Sequence, residues 1–293
     1  MLSVLKNLMI GILSLNSNTL NNREFIENHN SLNTSYKMNE NQFIENEYIN
    51  EFLPNQNNFI ILNTTKDRIE EDKFPPIYKS VDWREKNKVS SVKNQEECGD
   101  CWAFSSSGAV ESAWAIKNNI LYNLSQQELL DCSYLNKGCN GGSMDLAFKY
   151  IIRNGLCTNL SYPYEANQSI CQKSQCEPVI EIKNYNDITQ NNEKALARAV
   201  TKQPISVAIQ ANKRSFQLYK SGIYNDPECG TKLDHGVLVV GYGTDSEFNM
   251  DYWIIKNSWG KDWGDNGYIK IQRNINDERG LCGIAMNPSY PII

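Results

Sequence analysis

Nine cysteines constrain this chain more than any other feature, and all of them lie beyond residue 97: Cys98, Cys101, Cys132, Cys139, Cys157, Cys171, Cys176, Cys229 and Cys282. In an oxidising compartment an odd number leaves one thiol unbridged. Two of the nine stand in Gln95-Glu96-Glu97-Cys98-Gly99-Asp100-Cys101-Trp102-Ala103-Phe104, where a helix-forming apolar run follows the second cysteine directly. A thiol at the start of a helix is a candidate nucleophile, because that position favours the thiolate. Asn-x-Ser/Thr sequences at Asn33, Asn63, Asn123, Asn159 and Asn167 agree with secretion. So does the start of the chain, where Lys6, the apolar run Leu8 to Leu15 and the small Ser17 read as a secretory signal over residues 1–17.

The 293 residues can bury a sizeable core in one or two domains. A net charge of −5 without a long basic run excludes a nucleic-acid binder. No stretch approaches the roughly 20 apolar residues of a membrane span.

Residues 18–77 are rich in Asn, Glu and Ser and read as a propeptide with a linker, broken at Pro75-Pro76. Within it, Asn22, Ile26 and Asn30 recur at helical spacing. Residues 78–293 have the composition of a packed domain. A helix is predicted over 101–117, with Ala103, Val110, Ala113 and Trp114 on one face. The capping box Ser125 to Glu128 starts a second helix. A third runs from Ser143 to Arg153 and stops at Gly155. The second half holds one short helix, Glu193 to Val200, and strands at Ile205 to Gln210, Gly236 to Val240, Tyr252 to Lys256 and Tyr268 to Gln272. A helical half followed by a stranded half predicts an α+β protein of two lobes with a cleft between them.

The base for the thiol is indicated by scarcity, since the chain has two histidines and His29 lies in the leader. That leaves His235, at the head of an apolar strand. An imidazole base needs an acceptor to fix its tautomer. Asn257 can supply one, and Trp259 can keep water off that bond. The side-chain amide of Gln95 and the backbone N–H of Cys101 can serve a developing oxyanion.

These residues sit in blocks that resemble papain-family cysteine proteases, cathepsin L-like in subgroup. The blocks include Asp82-Trp83-Arg84, Gln95, Cys98-Gly99-x-Cys101-Trp102-Ala103-Phe104-Ser105, Leu124-Ser125-x-Gln127-x-Leu129, Cys139-Asn140-Gly141-Gly142, Tyr162-Pro163-Tyr164, Asp234-His235-Gly236, Gly241-Tyr242-Gly243 and Lys256-Asn257-Ser258-Trp259-Gly260. The resemblance implies a papain-like fold, with a helical left lobe and a β-barrel-like right lobe. It implies Cys101 as nucleophile, His235 as general base and acid, Asn257 as orienter and Gln95 as oxyanion donor. It also implies disulfides Cys98–Cys139, Cys132–Cys171 and Cys229–Cys282. The further pair Cys157 and Cys176 stands where protozoan cryptopain- and falcipain-like relatives carry a fourth bridge.

Substrate contacts follow from the same resemblance: Gly141 and Gly142 along the substrate backbone, Asp234 and Trp259 beside the cleft. Met144, Ala208, Leu233 and Gly236 would line the pocket for the P2 residue, with Asn287 near its floor. These apolar walls imply Leu, Val or Phe at P2. The activity implied is that of an endopeptidase working through an acyl-enzyme, a monomer with no metal and no cofactor. It would act on protein or peptide substrates in a lysosome-like vacuole or outside the cell, and cystatin-like inhibitors would be partners. A thiol–disulfide oxidoreductase or a structural zinc site is the rival reading of Cys98-x-x-Cys101, and an inert peptide-binding homologue is a third.

Two departures from the family pattern stand out. Glu96 and Asp100 replace the usual glycine and serine, which predicts carboxylates near the thiol and a weakened ion pair. In the leader, Asn22, Ile26, Asn30, Asn41 and Phe43 match the end of an inhibitory prodomain. Gly11, Leu15 and Thr19 do not match its beginning, so a truncated prodomain is expected, cleaved near residues 73–79.

Overall fold

The computed structural model describes residues 21–45 and 78–293. The 1–17 signal reading and residues 73–77 of the expected 73–79 cleavage region lie outside the described residues.

The helix that begins at Cys101 lies between two hydrophobic cores. This helix, α2 (Cys101–Asn118), is buried on nearly every side rather than on the single predicted face. Its Ser105-Ser106-Ser107-Gly108 run explains why. The Ser105 hydroxyl donates to Val237 O at 2.7 Å, Ser206 donates to Ser105 O at 3.1 Å, and a Cβ on Gly108 would sit 3.1 Å from Leu238. Small polar residues let strands of the other lobe come against the helix while their hydroxyls satisfy buried carbonyls. The left core gathers Trp102, Val110, Leu129, Leu130, Met144, Phe148 and Ile151, and the right core gathers Val207, Phe216, Tyr224, Val239, Trp253 and Ile255. Each fully buried side chain of this size stabilises by roughly 1.5–3 kcal/mol.

The left lobe adds α3 (Gln126–Cys132) and α4 (Met144–Asn154). Ser125 caps α3 by accepting from Glu128 N at 2.9 Å, but the reciprocal half of the box is absent. The Glu128 carboxylate instead takes Cys157 N at 2.7 Å and Tyr150 OH at 2.9 Å. Ser143 caps α4, which closes on Gly155 at φ +68°.

The right lobe is a nine-stranded sheet with β1 (Tyr36–Met38), β2 (Val81–Asp82), β3 (Asn184–Asp187), β4 (Ile205–Ile209), β5 (Tyr219–Tyr224), β6 (His235–Asp245), β7 (Met250–Lys256), β8 (Tyr268–Gln272) and β9 (Ser289–Ile292). The order is β1-β5-β8-β7-β6-β4-β9-β3, with β2 on β6; β5 and β8 are parallel and the other pairs antiparallel. Helices α5 (Glu193–Val200) and α6 (Arg214–Gln217) pack against it. β6 runs well past the predicted Val240. Gly241 breaks the apolar pattern but stays in the strand, because a Cβ there would strike Val81 O at 2.2 Å; the glycine admits the β2 backbone.

Part of the leader is ordered against this lobe. A helix over residues 21–31, α1, buries Ile26. Asn30 brackets β1, giving Nδ2 to Met38 O and taking Met38 N on Oδ1, at 2.8 and 2.9 Å. β1 then extends the sheet at β5. Asn41 Nδ2 donates to Gln217 O, Gln42 Nε2 to Trp259 O, and Phe43 meets the Trp259 ring edge-on at 5.0 Å.

Four disulfides join Cys98 to Cys139, Cys132 to Cys171, Cys157 to Cys176 and Cys229 to Cys282, and Cys101 carries the one free thiol. Among the described residues no helix is long and apolar enough to cross a membrane.

Candidate active site

Cys101 is the first residue of α2, and His235 is the first residue of β6. The two lobes bring them to adjoining positions. Gly236, next after His235, hydrogen-bonds the Cys101 sulfur through its backbone amide. A Cβ at Gly236 would lie 3.3 Å from Cys101 O, so only glycine fits there without displacing the helix start.

His235 is fully buried and its Nε2 stands 2.7 Å from Asn257 Oδ1. The same Oδ1 accepts from Ser258 N at 2.8 Å, which identifies that atom as the amide oxygen. Nε2 therefore carries a proton in the neutral ring, and Nδ1 keeps its lone pair. Nδ1 has no hydrogen-bond partner among the described residues. Trp259 stacks on the imidazole at 4.7 Å and shields the His235–Asn257 bond from solvent.

Gln95 is buried at the opposite side of the thiol's loop. Its Oε1 accepts from Ser258 Oγ at 2.6 Å and its Nε2 donates to Cys98 O at 2.9 Å. One amide hydrogen stays uncommitted. Ser258 is a participant that the sequence reading names only as part of a motif. Its hydroxyl fixes the Gln95 amide while its backbone fixes Asn257, and its place between Asn257 and Trp259 was the one available signal. The Cys98–Cys139 bridge and the Gly99 N to Cys139 O bond, 3.0 Å, hold the 95–100 loop against the 138–142 segment.

The electrostatics differ from the sequence expectation of a thiolate. Burial pushes the Cys101 thiol up to about 12; the Gly236 and Trp102 amides pull it down, while Asp100 and Asp234 add to the rise. Burial lowers His235 to about 4, against the opposing hydrogen bond from Asn257. Desolvation of both groups favours the neutral thiol and the neutral imidazole over the ion pair. Asp100 is fully buried, and burial raises its carboxyl well above the ordinary aspartate range. Glu96 is exposed to water and adopts φ +52°, the left-handed conformation that a glycine takes without strain.

The remaining candidates surround this centre. Gly141 has φ +104°, and a Cβ on Gly142 would meet Asn136 Oδ1 at 2.5 Å and the Trp102 ring at 2.8 Å, which keeps the pair bare. Met144 Sδ would lie 3.3 Å from a Cβ on Gly236, so these two adjoin each other and the thiol. Ala208 is paired with Gly236 across β4 and β6. Leu233 and Met286 both flank Gly283, which adds Met286 to this apolar group. Asn287 is buried, with Nδ2 unpaired among the described residues. The Asp234 side chain is buried: Oδ1 accepts from Ala211 N at 2.7 Å, and burial raises its carboxyl to about 7. Glu128, Cys157 and Cys176 lie close enough for a metal site, but both cysteines are bridged.

A profile described as papain family cysteine protease matches residues 77–292. The Arabidopsis thaliana probable cysteine protease RD21B is 48% identical over 278 residues, covering 92% of this chain and 59% of that protein. The chain thus spans about three-fifths of the length of the curated relatives it matches. Among solved structures, the proform of Amb a 11, a ragweed pollen cysteine protease, superposes with a TM-score of 0.89 at 35% identity, over 96% of this chain and 88% of that one. Digestive procathepsin L 3 from Tenebrio molitor larval midgut gives 0.82 at 39%, over 97% and 93%. With a free thiol at a helix start, an imidazole on the facing strand and an asparagine behind it, this extent of likeness leaves one conclusion: the chain belongs to the papain family of cysteine proteases.

Proposed function

We propose that the chain is a cysteine endopeptidase of the cathepsin L-like group, cleaving peptide bonds through an acyl-enzyme on Cys101. The observation that carries this reading is His235 with Nε2 tied to Asn257 and Nδ1 free, beside the one unbridged thiol. As the sulfur attacks the scissile carbonyl carbon, its proton passes to Nδ1. The resulting charge pair is favoured by the helix start, by the Gly236 and Trp102 amides and by Asn257. The carbonyl oxygen takes the negative charge between the Cys101 N–H and the uncommitted Gln95 amide hydrogen. His235 then protonates the leaving amine. In the second half it removes a proton from water, which attacks the acyl carbon and frees the thiol.

Extended substrates would run along Gly141 and Gly142. Met144, Ala208, Leu233 and Gly236 supply an apolar pocket that favours Leu, Val or Phe at P2. Residues 78–293 act as the peptidase domain, and 18–77 as a leader released by cleavage near 73–79. The docking of Phe43 and Gln42 on Trp259 supports a restraining role for that leader. The likeness to protozoan enzymes rests on the Cys157–Cys176 bridge. The plant relatives and the exposed Asn33, Asn123 and Asn167 support a vacuolar or secreted location, where cystatin-like inhibitors would be encountered.

Fluorogenic Z-Phe-Arg and Z-Leu-Arg substrates, tested on the acid-activated chain with a Cys101→Ala control, decide the matter. We expect hydrolysis of both, none in the control, and one peptidyl epoxide bound per chain at Cys101. Unlabelled Cys101 and no hydrolysis would leave a peptide-binding homologue instead.

A further inference from the structure

Asp100 occupies the cap position of α2, yet its side chain makes no capping bond. It turns instead toward the loop carrying Tyr164, whose hydroxyl lies 3.0 Å from Asp100 Oδ1 and 2.9 Å from Gln95 O. Counting hydrogens decides how this trio is arranged. A tyrosine hydroxyl has one proton, and the Gln95 carbonyl can only accept. If Asp100 were a carboxylate, two acceptors would compete for one hydrogen inside the protein; Oδ2 has no partner among the described residues in either state, but only the carboxylate would place charge on it. If Asp100 carries a proton on Oδ1, every contact is matched: Asp100 donates to Tyr164, and Tyr164 donates to Gln95 O. Among the described residues no cation compensates a charge here. The groups facing the trio are Cys101 on α2, Phe104 edge-on to Tyr164 at 5.0 Å, and Glu96 on the loop, with Asp234 beyond the thiol. Neither acid offers Asp100 a compensating positive charge, and burial is what opposes its ionisation. At pH 5.5 an ordinary aspartate is protonated about one time in forty, a small handicap beside that of burying an unpaired charge.

We propose that Asp100 is held as a neutral carboxylic acid whose proton, relayed through the Tyr164 hydroxyl, braces the Gln95 carbonyl, so that Asp100 is a positioning residue for the oxyanion corner and loses that role when it ionises. The inference rests on reading Gln95 as the oxyanion donor. Its consequence is directional. In acid the relay is complete and Asp100 adds no charge against the thiolate. On ionisation Tyr164 is drawn from Gln95, and a negative charge appears one residue from the sulfur.

Carbon-13 carboxyl NMR on the aspartate-labelled full chain, with Asp100→Asn to assign the signal, reads the proton without any catalysis. A neutral-acid shift for Asp100 at pH 5.5 is expected. In the pH profile of kcat/KM, the alkaline limb of Asp100→Asn should lie about one unit above that of the unmutated chain, with the acid limb unmoved, since an amide keeps the donor and cannot ionise. Tyr164→Phe should lower kcat about fivefold with KM retained. A carboxylate signal at pH 5.5 overturns the proposal, and so does an alkaline limb that Asp100→Asn leaves in place. A neutral Asp100 in a chain that hydrolyses nothing would sink the peptidase reading while keeping the proton assignment, so the two failures are told apart.

Discussion

Gln95 shows how much of this site depends on single atoms. Its Oε1 is fixed by Ser258 Oγ and one amide hydrogen by Cys98 O, which aims the other. Gln95→Ala is expected to lower kcat about 10²-fold with KM little changed, because the contact forms only with the oxyanion. Ser258→Ala should release the amide and lower kcat about fivefold, the worth of one neutral hydrogen bond. Steady-state kinetics on one fluorogenic substrate checks both, and an increase in KM alone would contradict the assignment. His235 was legible in the sequence through the scarcity of histidine, and Asn257 through its need for an amide acceptor. Ser258 and Tyr164 were not, since each acts on a residue 163 or 69 positions away, and nothing in local pattern encodes such a meeting. The burial of Asp100 was not legible for the same reason: burial is a property of the assembled lobes.

At the scale of elements, the helices with strong local signals lie where capping residues and apolar spacing predict them, at Ser143, Gly155 and Glu193–Val200. Short strands without alternation, β3, β5 and β9, were invisible, because their burial comes from neighbours elsewhere in the chain. The disulfide pairing followed only from family likeness. The Cys157–Cys176 bridge spans 19 residues of loop beside Glu128. Replacing both cysteines by serine should reduce stability by about 3 kcal/mol, by the loop-closure relation. Equilibrium unfolding in denaturant measures it, and an unchanged midpoint would show that the Glu128 bonds suffice. In the leader, Phe43→Ala removes an edge-on aromatic contact worth about 1 kcal/mol beyond its buried area. We expect faster acid activation of that variant, followed by the appearance of the shortened chain on gels.

At the scale of the whole molecule, buried carboxyls set the pH response. Burial raises Asp100, Asp234, Glu128 and Glu193, so each binds its proton more tightly folded than unfolded. Their stabilising share is complete below about pH 4 and lost as pH rises, for Asp234 through about 7. His235 runs the other way: with a folded value of about 4, acidification below its usual 6.5 removes stability. Between pH 7.5 and 5, Asp234 and His235 offset each other at roughly 2 kcal/mol apiece, and the other three acids decide the sign. Burial alone would also raise Glu111, but Lys93 and Lys256 bring it below its usual value, so it is ionised throughout that range. The melting temperature of Cys101→Ala should therefore be a few degrees higher at pH 5 than at pH 7.5. A lower value at pH 5 would mean that His235 outweighs the acids.

The Trp259 indole stacks on the imidazole and meets the Phe43 ring edge-on, and the Trp259 backbone carbonyl accepts from Gln42 Nε2. A change at this tryptophan cannot retune latency without also disturbing catalytic chemistry. If the leader is released as proposed, evolutionary adjustment of how readily the zymogen wakes is thereby confined to the disposable side of the contact, where substitutions vanish with the leader and leave no trace in the mature enzyme.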